Sequence, residues 1–421
     1  MHELTAIIKA YKEAIVANAQ VVLATVVRTR GSVYRRAGAR MLVSLDEQGE
    51  CTATGAISGG CLERDVCERA LRVAATGEPV VITYDNTASE DIVWGLGLGC
   101  DGVVEVLLES LNNCGGENLM LFLAACLERR TRGTMATVIR ADVEGTDEVA
   151  AHIGARSMLG EDGSIVGHPI CRALVEDLHA AAQTTTVDTV NSVLHTKSYD
   201  TSRGEVEVFI ESIEPPIPLV IFGAGADAVP VARLAQEVGL HVSIVDHRPA
   251  FATAERFPFA DQIIICRPEA VPQEVTLDAR TAAVVMTHSY EHDRELMKRL
   301  VASPARYIGM LGPKRRAERM LIELQAEESF EFDDNDLPRL HAPVGLDIGA
   351  ETPEEIAVSI IAEVRACVAK RAGGSLKKRH APIHDETGQC AADVQQARSL
   401  LPRMSLPVNV LLVAAASKVA G

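Results

Sequence analysis

The stretch Leu219-Val220-Ile221-Phe222-Gly223-Ala224-Gly225-Ala226-Asp227-Ala228 decides the fold of the C-terminal half of this 421-residue chain. Four apolar residues run into a glycine-rich turn and then a helical pattern, which is typical of the first strand and helix of a dinucleotide-binding unit. A second strand, His241 to Val245, ends at Asp246, where an acidic side chain can bond the ribose hydroxyls of NAD. We therefore predict that Gly223, Gly225 and Asp246 bind NAD or another nucleotide.

The rest of this half alternates strand and helix patterns. Three further apolar runs are predicted as strands: Gln262–Cys266, Ala282–Thr287 and Tyr307–Met310. This alternation predicts an α/β fold with a doubly wound parallel sheet, Rossmann-like in architecture. Thr352 and Glu355 form a predicted capping box around Pro353, so the last helix should run to about Lys370.

Two glycine-rich segments in the N-terminal half each lead to a cysteine: Gly55-Ala56-Ile57-Ser58-Gly59-Gly60-Cys61-Leu62-Glu63 and Gly95-Leu96-Gly97-Leu98-Gly99-Cys100-Asp101-Gly102. Glycines let successive backbone N–H groups turn inward and form a nest for an anion. A cysteine at the edge of such a nest lies in positive potential, which favours its thiolate, and a helix starting after Cys61 would add to that potential. The alternative is two tight turns with buried cysteines. The recurrence of the motif favours a functional site.

These segments, with Gly31-Ser32-Val33-Tyr34-Arg35-Arg36 and Gly38-Ala39-Arg40-Met41, resemble the N-terminal domain of the xanthine dehydrogenase accessory family, XdhC/CoxI. The C-terminal half resembles the Rossmann-like domain of that family in MTHSYEHD, YIGMLGPKRR and PVGLDIGAETPEEIAVSI. Members bind molybdenum cofactor, help its terminal oxo ligand become sulfido and pass it to molybdenum hydroxylases. The resemblance implies a cytoplasmic cofactor chaperone that works with a molybdenum hydroxylase client and a cysteine desulfurase. We also expect a homodimer.

The resemblance suggests roles for the glycine–cysteine motifs. A thiolate suits soft metals and can carry a persulfide, so Cys61 and Cys100 are predicted either to ligate molybdenum or to carry sulfur. Molybdenum cofactor is an anionic dithiolene with a phosphate, which would fit a glycine nest. The backbone contacts are predicted at Ser58, Gly59, Gly60, Gly97 and Gly99.

Three arginines are candidate phosphate clamps, because a guanidinium fork matches a phosphate: Arg35, Arg36 and Arg40. Their alternative is a solvated loop. Glu63 either bonds the pterin or stabilises the first turn of the helix, and we favour the second interpretation.

Two basic clusters lie in the C-terminal half. His288 and His292 are spaced for one face of a helix capped by Thr287, which could bind a metal. However, His288 also follows a strand, where ligands of open sheets bind, and we prefer contact with a nucleotide or pterin. Residues 314–316, Lys-Arg-Arg, either face a phosphate or begin a solvated helix.

The first two hundred residues contain an apparent internal repeat. Ala24–Arg28 returns as Ala136–Arg140, and Val104–Ser110 returns as Val206–Ser212. We interpret this as a degenerate duplication, whose second copy has Cys171 but neither glycine–cysteine motif. The predicted domains are 1–113, the duplicated or extending segment 114–214, a Rossmann-like domain 215–372 after a proline-rich linker, and a mobile tail 373–421.

Composition limits the classes of partner. The net charge of −17 and the 4% aromatic content argue against binding nucleic acid or anionic membranes. The first residues form a charged helix rather than a signal peptide, and the cysteines lack a disulfide framework. The family resemblance implies a chaperone more than a catalyst. The open alternatives are an NAD(P)-dependent oxidoreductase, which lacks a visible hydride-transfer set, and a metabolite-sensing module.

Overall fold

The computed structural model describes residues 2–46, 48–85, 102–143, 152–167, 171–184, 194–201, 204–327 and 337–378. Three of the predicted site residues, Gly97, Gly99 and Cys100, lie outside these ranges, as does the predicted tail from residue 379 onward. The described residues build two antiparallel sheets, one after the other, and then a parallel sheet.

The first N-terminal sheet has the strand order β3-β2-β1-β5-β4. Its strands are β1 (Gln20–Gly31), β2 (Arg40–Leu45), β3 (Cys51–Gly55), β4 (Val80–Asp85) and β5 (Gly102–Ser110). The unbroken apolar run of β1 is buried, because helices cover both faces of the sheet. The helix α2 (Glu63–Thr76) packs on one face, and α1 (His2–Val16) and α3 (Cys114–Glu128) pack on the other.

The second N-terminal sheet has the strand order β8-β7-β6-β10-β9, which matches the first strand for strand. Its strands are β6 (Gly133–Val143), β7 (Arg156–Gly160), β8 (Ile165–Gly167), β9 (Leu194–Thr201) and β10 (Gly204–Ile213), and α4 (Arg172–Thr184) packs on it. The central strand of each sheet carries a bulge at matched positions, Val27 and Ile139. This shared topology is the arrangement that the predicted duplication requires.

The C-terminal sheet is parallel throughout and has the order β13-β12-β11-β14-β15-β16, so the predicted doubly wound Rossmann-like fold is confirmed. Its strands are β11 (Pro218–Phe222), β12 (His241–Asp246), β13 (Gln262–Ile265), β14 (Ala282–Val285), β15 (Tyr307–Met310) and β16 (Leu340–His341). The strand β16 was not among the predicted strands, because two residues show no periodicity.

Two layers of helix cover the parallel sheet. The first is made of α5 (Ala228–Glu237) and α9 (Pro353–Val368), and the second of α6 (Val271–Glu274), α7 (Tyr290–Val301) and α8 (Lys314–Gln325). The predicted capping box of α9 is present, with Glu355 bonded back to the N–H of Thr352. None of the helices in the described ranges is long and apolar enough to cross a membrane.

Candidate functional site

The turn between β3 and α2 carries Cys61. The Ser58 Oγ accepts hydrogen bonds from the N–H groups of Gly60, Cys61 and Leu62, at 3.2, 3.1 and 3.1 Å. These bonds hold the backbone in a tight curve, and Gly60 has a φ of 109°, which favours glycine. Cys61 lies two residues before the first helical residue and is half-buried.

The carboxylate of Glu63 fills the concave side of the same turn. It accepts from the N–H groups of Ile57 at 3.2 Å, Ser58 at 2.8 Å and Leu62 at 3.1 Å, and from the Ser58 hydroxyl. Burial opposes ionisation of Glu63, but the hydrogen bonds from Ser58 and its neighbours outweigh it, so its pKa lies below the usual range. Glu63 thus stabilises the helix start, which is the interpretation that the sequence favoured.

These bonds change what the turn presents to a ligand. The sequence predicted an open nest of N–H groups around Ser58, Gly59 and Gly60. In the structure, N–H groups of this turn already donate to the side chains of Ser58 and Glu63. Gly59 and Gly60 are nevertheless exposed. The accessible features of the turn are therefore their backbone and the Cys61 thiol.

The loop 31–36 packs against this turn. A Cβ on Gly59 would lie 3.6 Å from Cγ of Tyr34, so the tyrosine ring packs over this glycine. Arg35 forms an ion pair with Glu3, and the other oxygen of Glu3 accepts from the Ala56 N–H at 2.9 Å. Arg35 is thus joined through α1 to the beginning of the Cys61 turn.

The last residue of the second glycine–cysteine motif reaches the same loop. A Cβ on Gly102 would lie 2.6 Å from Cγ1 of Val33 and 2.7 Å from the carbonyl oxygen of Arg30. Only glycine allows this approach, and Gly102 pairs directly with Gly31 in the sheet. Three motifs that are separate in the sequence therefore meet at one end of the first sheet.

A cavity of about 330 Å³ lies between the two N-terminal sheets and is lined by α1, the segment 35–40 and the end of β10, but not by the Cys61 turn or by Gly102. Arg35, Arg36 and Arg40 all line it. However, Arg40 is buried and forms an ion pair with Glu211 of β10. The prediction of Arg40 as an exposed phosphate clamp thus has to be revised, because its guanidinium is committed to a carboxylate of the second sheet.

A second cleft, of about 150 Å³, lies at the carboxyl ends of β11, β12 and β14. The strand order reverses between β11 and β14, which is where open α/β sheets bind ligands. Gly223 has a φ of 113°, and a Cβ there would lie 2.5 Å from the carbonyl oxygen of Met286. The restriction at Gly225 is weaker, since a Cβ there would lie 2.6 Å from Asp227 Oδ1, the end of a side chain that can turn aside.

Asp246 ends β12 at the predicted position, but its carboxylate is occupied. Oδ2 accepts from the Ala224 N–H at 2.7 Å and from Arg248 Nη2 at 2.8 Å, and Oδ1 accepts from Arg248 Nε at 2.9 Å. Burial opposes the charge, but these bonds outweigh it and lower the pKa of Asp246 to about 2. Arg248 was not among the predicted site residues, and its guanidinium takes up the acceptor positions of Asp246 that the predicted ribose contact would use.

The two histidines of the MTHSYEHD motif do not share a helical face. Ser289 caps α7, so His288 precedes the helix, has a φ of 62°, and bonds Asp227 with its Nε2 at 2.7 Å. His292 instead packs edge-on against His247, with ring centroids 4.6 Å apart. The paired-histidine metal interpretation is thus wrong, and within the described ranges no three His, Cys, Asp or Glu residues are placed to hold a metal ion.

The start of α8 is tied through Asp293 to Thr287, which lines this cleft. Asp293 is buried, accepts from the Thr287 hydroxyl at 2.5 Å and pairs with Arg316 at 2.6 Å. Burial raises the pKa of Asp293 despite these partners. Arg316, predicted either to face a phosphate or to be solvated, serves instead to tie the MTHSYEHD and GPKRR segments together.

Two family descriptions match the chain: the XdhC and CoxI family over residues 14–85 and the XdhC Rossmann domain over residues 219–364. A relative from Bacillus subtilis (strain 168), described as a probable xanthine dehydrogenase subunit, is 34% identical over 345 residues, 82% of this chain and 92% of the relative. The chain belongs to the XdhC and CoxI family. The match over 14–85 includes the Cys61 turn and loop 31–36, whereas Cys100 lies beyond its end.

Two further proteins are similar to this XdhC and CoxI family member over most of its length. The molybdenum cofactor insertion chaperone PaoD of Escherichia coli (strain K12) is 23% identical over 353 residues, 84% of this chain and 85% of that protein. The crystal structure of a xanthine dehydrogenase from Bacillus halodurans aligns with a TM-score of 0.67 and 27% identity, covering 89% of this chain and 98% of that one.

Proposed function

We propose that this protein is a molybdenum-cofactor chaperone that binds the cofactor at the Cys61 turn and delivers it to a molybdenum hydroxylase. The observation that carries the proposal is the convergence of loop 31–36, the Cys61 turn and Gly102 at one end of the first sheet. Cys61 packs in part against the core cluster of the first sheet and α2, and it remains half-buried beside the exposed Gly59 and Gly60. The similarity to PaoD supports the same proposal.

The residues present fit such a cargo. The cofactor would bring a dithiolene-bound molybdenum, which a soft cysteine sulfur suits, and a phosphate, which arginines suit. Cys61 supplies the sulfur and Arg36 lines the cavity between the two sheets, whereas Arg35 would have to leave its ion pair with Glu3 to bind a phosphate there. We assign Arg40 to holding the two sheets together instead. We include Cys100 in the proposal as the second thiol, and its sequence motif alone supports this inclusion.

The finer steps are part of the proposal. Sulfuration requires a sulfur donor, for which we propose a cysteine desulfurase as partner, with the chaperone acting in the cytoplasm as a homodimer. Cys61 and Cys100 then either ligate molybdenum or carry the sulfur as a persulfide, since a thiolate supports both chemistries.

The experiment is reconstitution of an apo molybdenum hydroxylase with cofactor and a sulfur source. Cys61→Ser and Cys100→Ser replace a soft sulfur with a hard alcohol of similar size, so we expect a normal fold but loss of cofactor retention and client activation. Cys171→Ser is the matched control, because Cys171 lies one residue before α4 and Cys61 lies two residues before α2. Folded Cys61→Ser protein that activates the client at the wild-type rate would overturn the proposal.

We also propose that the cleft at Gly223 binds a nucleotide. The positive φ of Gly223, the carboxylate of Asp246 and the exposed His288 at a strand-order reversal support it. Titration calorimetry with NAD⁺, NADP⁺ and adenosine monophosphate tests binding. Hydride transfer to a carbonyl substrate would favour the oxidoreductase alternative, whereas nucleotide binding without turnover supports the chaperone.

A further inference from the structure

Four hydrogen bonds use the acceptor positions of the Asp246 carboxylate at the end of β12. Oδ1 accepts from the backbone N–H and from Nε of Arg248, both at 2.9 Å. Oδ2 accepts from the Ala224 N–H at 2.7 Å and from Nη2 of Arg248 at 2.8 Å. A carboxylate offers about four such positions, two on each oxygen. A ribose hydroxyl can therefore reach Asp246 only by sharing a position with Arg248 or by displacing it.

The guanidinium of Arg248 is the more accessible of the two charged groups. Its side chain is 37% exposed, whereas that of Asp246 is 3% exposed. Nε and Nη2 bond Asp246, but Nη1 has no acceptor among the residues that the structure describes. Arg248 also lines the cleft with Gly223. At this end of β12 the group that can face a ligand is thus a cation, and the carboxylate below it fixes its position.

An exposed aromatic ring supports this cation and a second one. The guanidinium carbon of Arg248 lies 4.1 Å from the ring centroid of Phe251, and that of Arg256 lies 5.1 Å from the same centroid. Arg256 is held in turn by its Nη1, which donates to the carbonyl oxygens of Ala224 at 3.0 Å and of Phe251 at 2.9 Å. Two guanidinium groups therefore lie beside the glycine turn, residues 223–225, in a chain with a net charge of −17.

We propose that Arg248 makes this cleft selective for a nucleotide with a phosphate on the 2′-oxygen of its adenosine ribose, as in NADP⁺, over NAD⁺. The inference rests on the proposed binding of a nucleotide at Gly223 and specifies which nucleotide binds. In dinucleotide-binding folds a carboxylate after the second strand bonds the 2′-hydroxyl of NAD, whereas a nearby arginine accommodates the 2′-phosphate of NADP. Both groups are present here, but the carboxylate is buried and engaged while the arginine is accessible.

The charges favour the phosphate over the hydroxyl. The ion pair with Arg248 offsets the negative charge of Asp246, and Arg256 adds a second positive charge nearby. A guanidinium matches the geometry of a phosphate and forms charge-assisted hydrogen bonds with it. A neutral 2′-hydroxyl gains less, because it would have to compete with Arg248 for the oxygens of Asp246.

The test is titration calorimetry on the full-length protein with two matched pairs of ligands. NADP⁺ and NAD⁺ differ only in the 2′-phosphate, as do adenosine 2′,5′-bisphosphate and 5′-AMP. We expect the 2′-phosphorylated member of each pair to bind about tenfold more tightly or better, the effect of one added charge-assisted contact.

Three variants assign the preference to Arg248. Arg248→Ala should abolish the preference while its affinity for NAD⁺ is kept or rises, and Arg248→Lys, which keeps the charge without the planar fork, should retain part of it. Arg319→Ala is the control, because Arg319 is an exposed arginine of the same domain that also pairs with a carboxylate, and it should leave the preference unchanged. Circular dichroism checks that each variant is folded.

The outcomes separate this inference from the nucleotide proposal. Equal or tighter binding of NAD⁺ by the wild-type protein, or an unchanged preference in folded Arg248→Ala, would overturn the selectivity and leave nucleotide binding in place. Inorganic phosphate that displaces NADP⁺ as effectively as adenosine 2′,5′-bisphosphate does would reveal a general anion site and would also overturn the inference. Binding of none of the four nucleotides would remove both proposals.

Discussion

Arg40 and Glu211 form a buried ion pair across the boundary between the two N-terminal sheets. Arg156 and Glu109 form the same pair with the sheets exchanged, at 2.6 Å between Nη1 and Oε2. Each arginine also donates to the carbonyl oxygen two residues before it, Gly38 or Gly154. Since each sheet supplies one arginine and one glutamate, the sheets meet as the two halves of a two-fold symmetric dimer do.

Removing one member of this pair should be strongly destabilising. Arg40→Met leaves the Glu211 carboxylate buried without its partner, and breaking a buried ion pair typically costs about 3–5 kcal/mol. The double variant Arg40→Met with Glu211→Leu should recover part of that loss, because no charge is then left unpaired. Urea unfolding followed by circular dichroism measures both.

Arg64→Met is the control for that experiment. Arg64 pairs with Glu68 at 3.3 Å on the exposed face of α2, where an ion pair contributes less than about 0.5 kcal/mol. If Arg40→Met costs no more than Arg64→Met, the pair does not hold the sheets together.

Glu63→Gln should destabilise the Cys61 turn by about 1–2 kcal/mol at neutral pH, because hydrogen bonds to a charged acceptor are stronger than those to an amide. The pKa of Glu63 is lowered in the fold, so its contribution is present above the unfolded value and is lost as pH falls through the folded one. Thermal melts across that range should show the gap between wild type and variant closing in acid. Glu68→Gln, on an exposed face of the same helix, should show no such gap; equal curves for the two variants would contradict the role of Glu63.

His341 should make stability fall as pH rises. It stacks on Tyr307 with ring centroids 4.3 Å apart, and its Nδ1 lies 3.3 Å from Glu363. Burial opposes its charge, but the neighbouring Cys367 and the carboxylate of Glu363 outweigh burial and raise the pKa of His341 to about 9.

A raised histidine pKa contributes stability in full below the unfolded value of about 6.5 and loses it as pH rises through the folded value. The free energy of unfolding measured with urea should therefore fall between about pH 7 and 9, by up to about 3 kcal/mol for a pKa shift of this size. His341→Asn removes the titration and should flatten that slope, whereas His195→Asn, on the second sheet, should keep it. An unchanged slope in His341→Asn would refute the assignment.

Asp246→Ala should weaken nucleotide binding by about 1.5–3 kcal/mol, because it removes the charged acceptor that holds the Ala224 N–H in the glycine turn and that a ribose would share with Arg248. The variant Arg248→Ala tests whether Asp246 contacts the ligand or only holds the glycine turn in place. It frees acceptor positions on Asp246 for a ribose while the bond to the Ala224 N–H remains, so affinity for NAD⁺ should be kept or rise. Calorimetry with both variants measures this; equal affinity in wild type and Asp246→Ala, or no binding to wild type, would remove the nucleotide proposal.

Features that depend on neighbours in the chain could be predicted from the sequence. The start of α9 follows from Thr352 and Glu355, which are three residues apart, and the end of α2 follows from Gly77, which adopts a φ of 71°. The parallel sheet follows from the alternation of strand and helix patterns, because parallel strands need crossover helices. The stabilising role of Glu63 could also be predicted from the sequence, since its hydrogen-bond partners lie within six residues of it.

What only the tertiary structure decided are the partners of charged groups. Arg40 has the side chain and the sequence neighbours expected of a phosphate clamp. Its partner Glu211 is 171 positions away, however, and only the packing of two sheets brings the two charges together. The packing of Tyr34 over Gly59 depends likewise on how the loop 31–36 lies on the first sheet. Local propensity and periodicity act over a few residues and therefore determine elements and fold class. Ion pairs and side-chain contacts act over a few ångströms, and the folded chain alone sets which groups are that close.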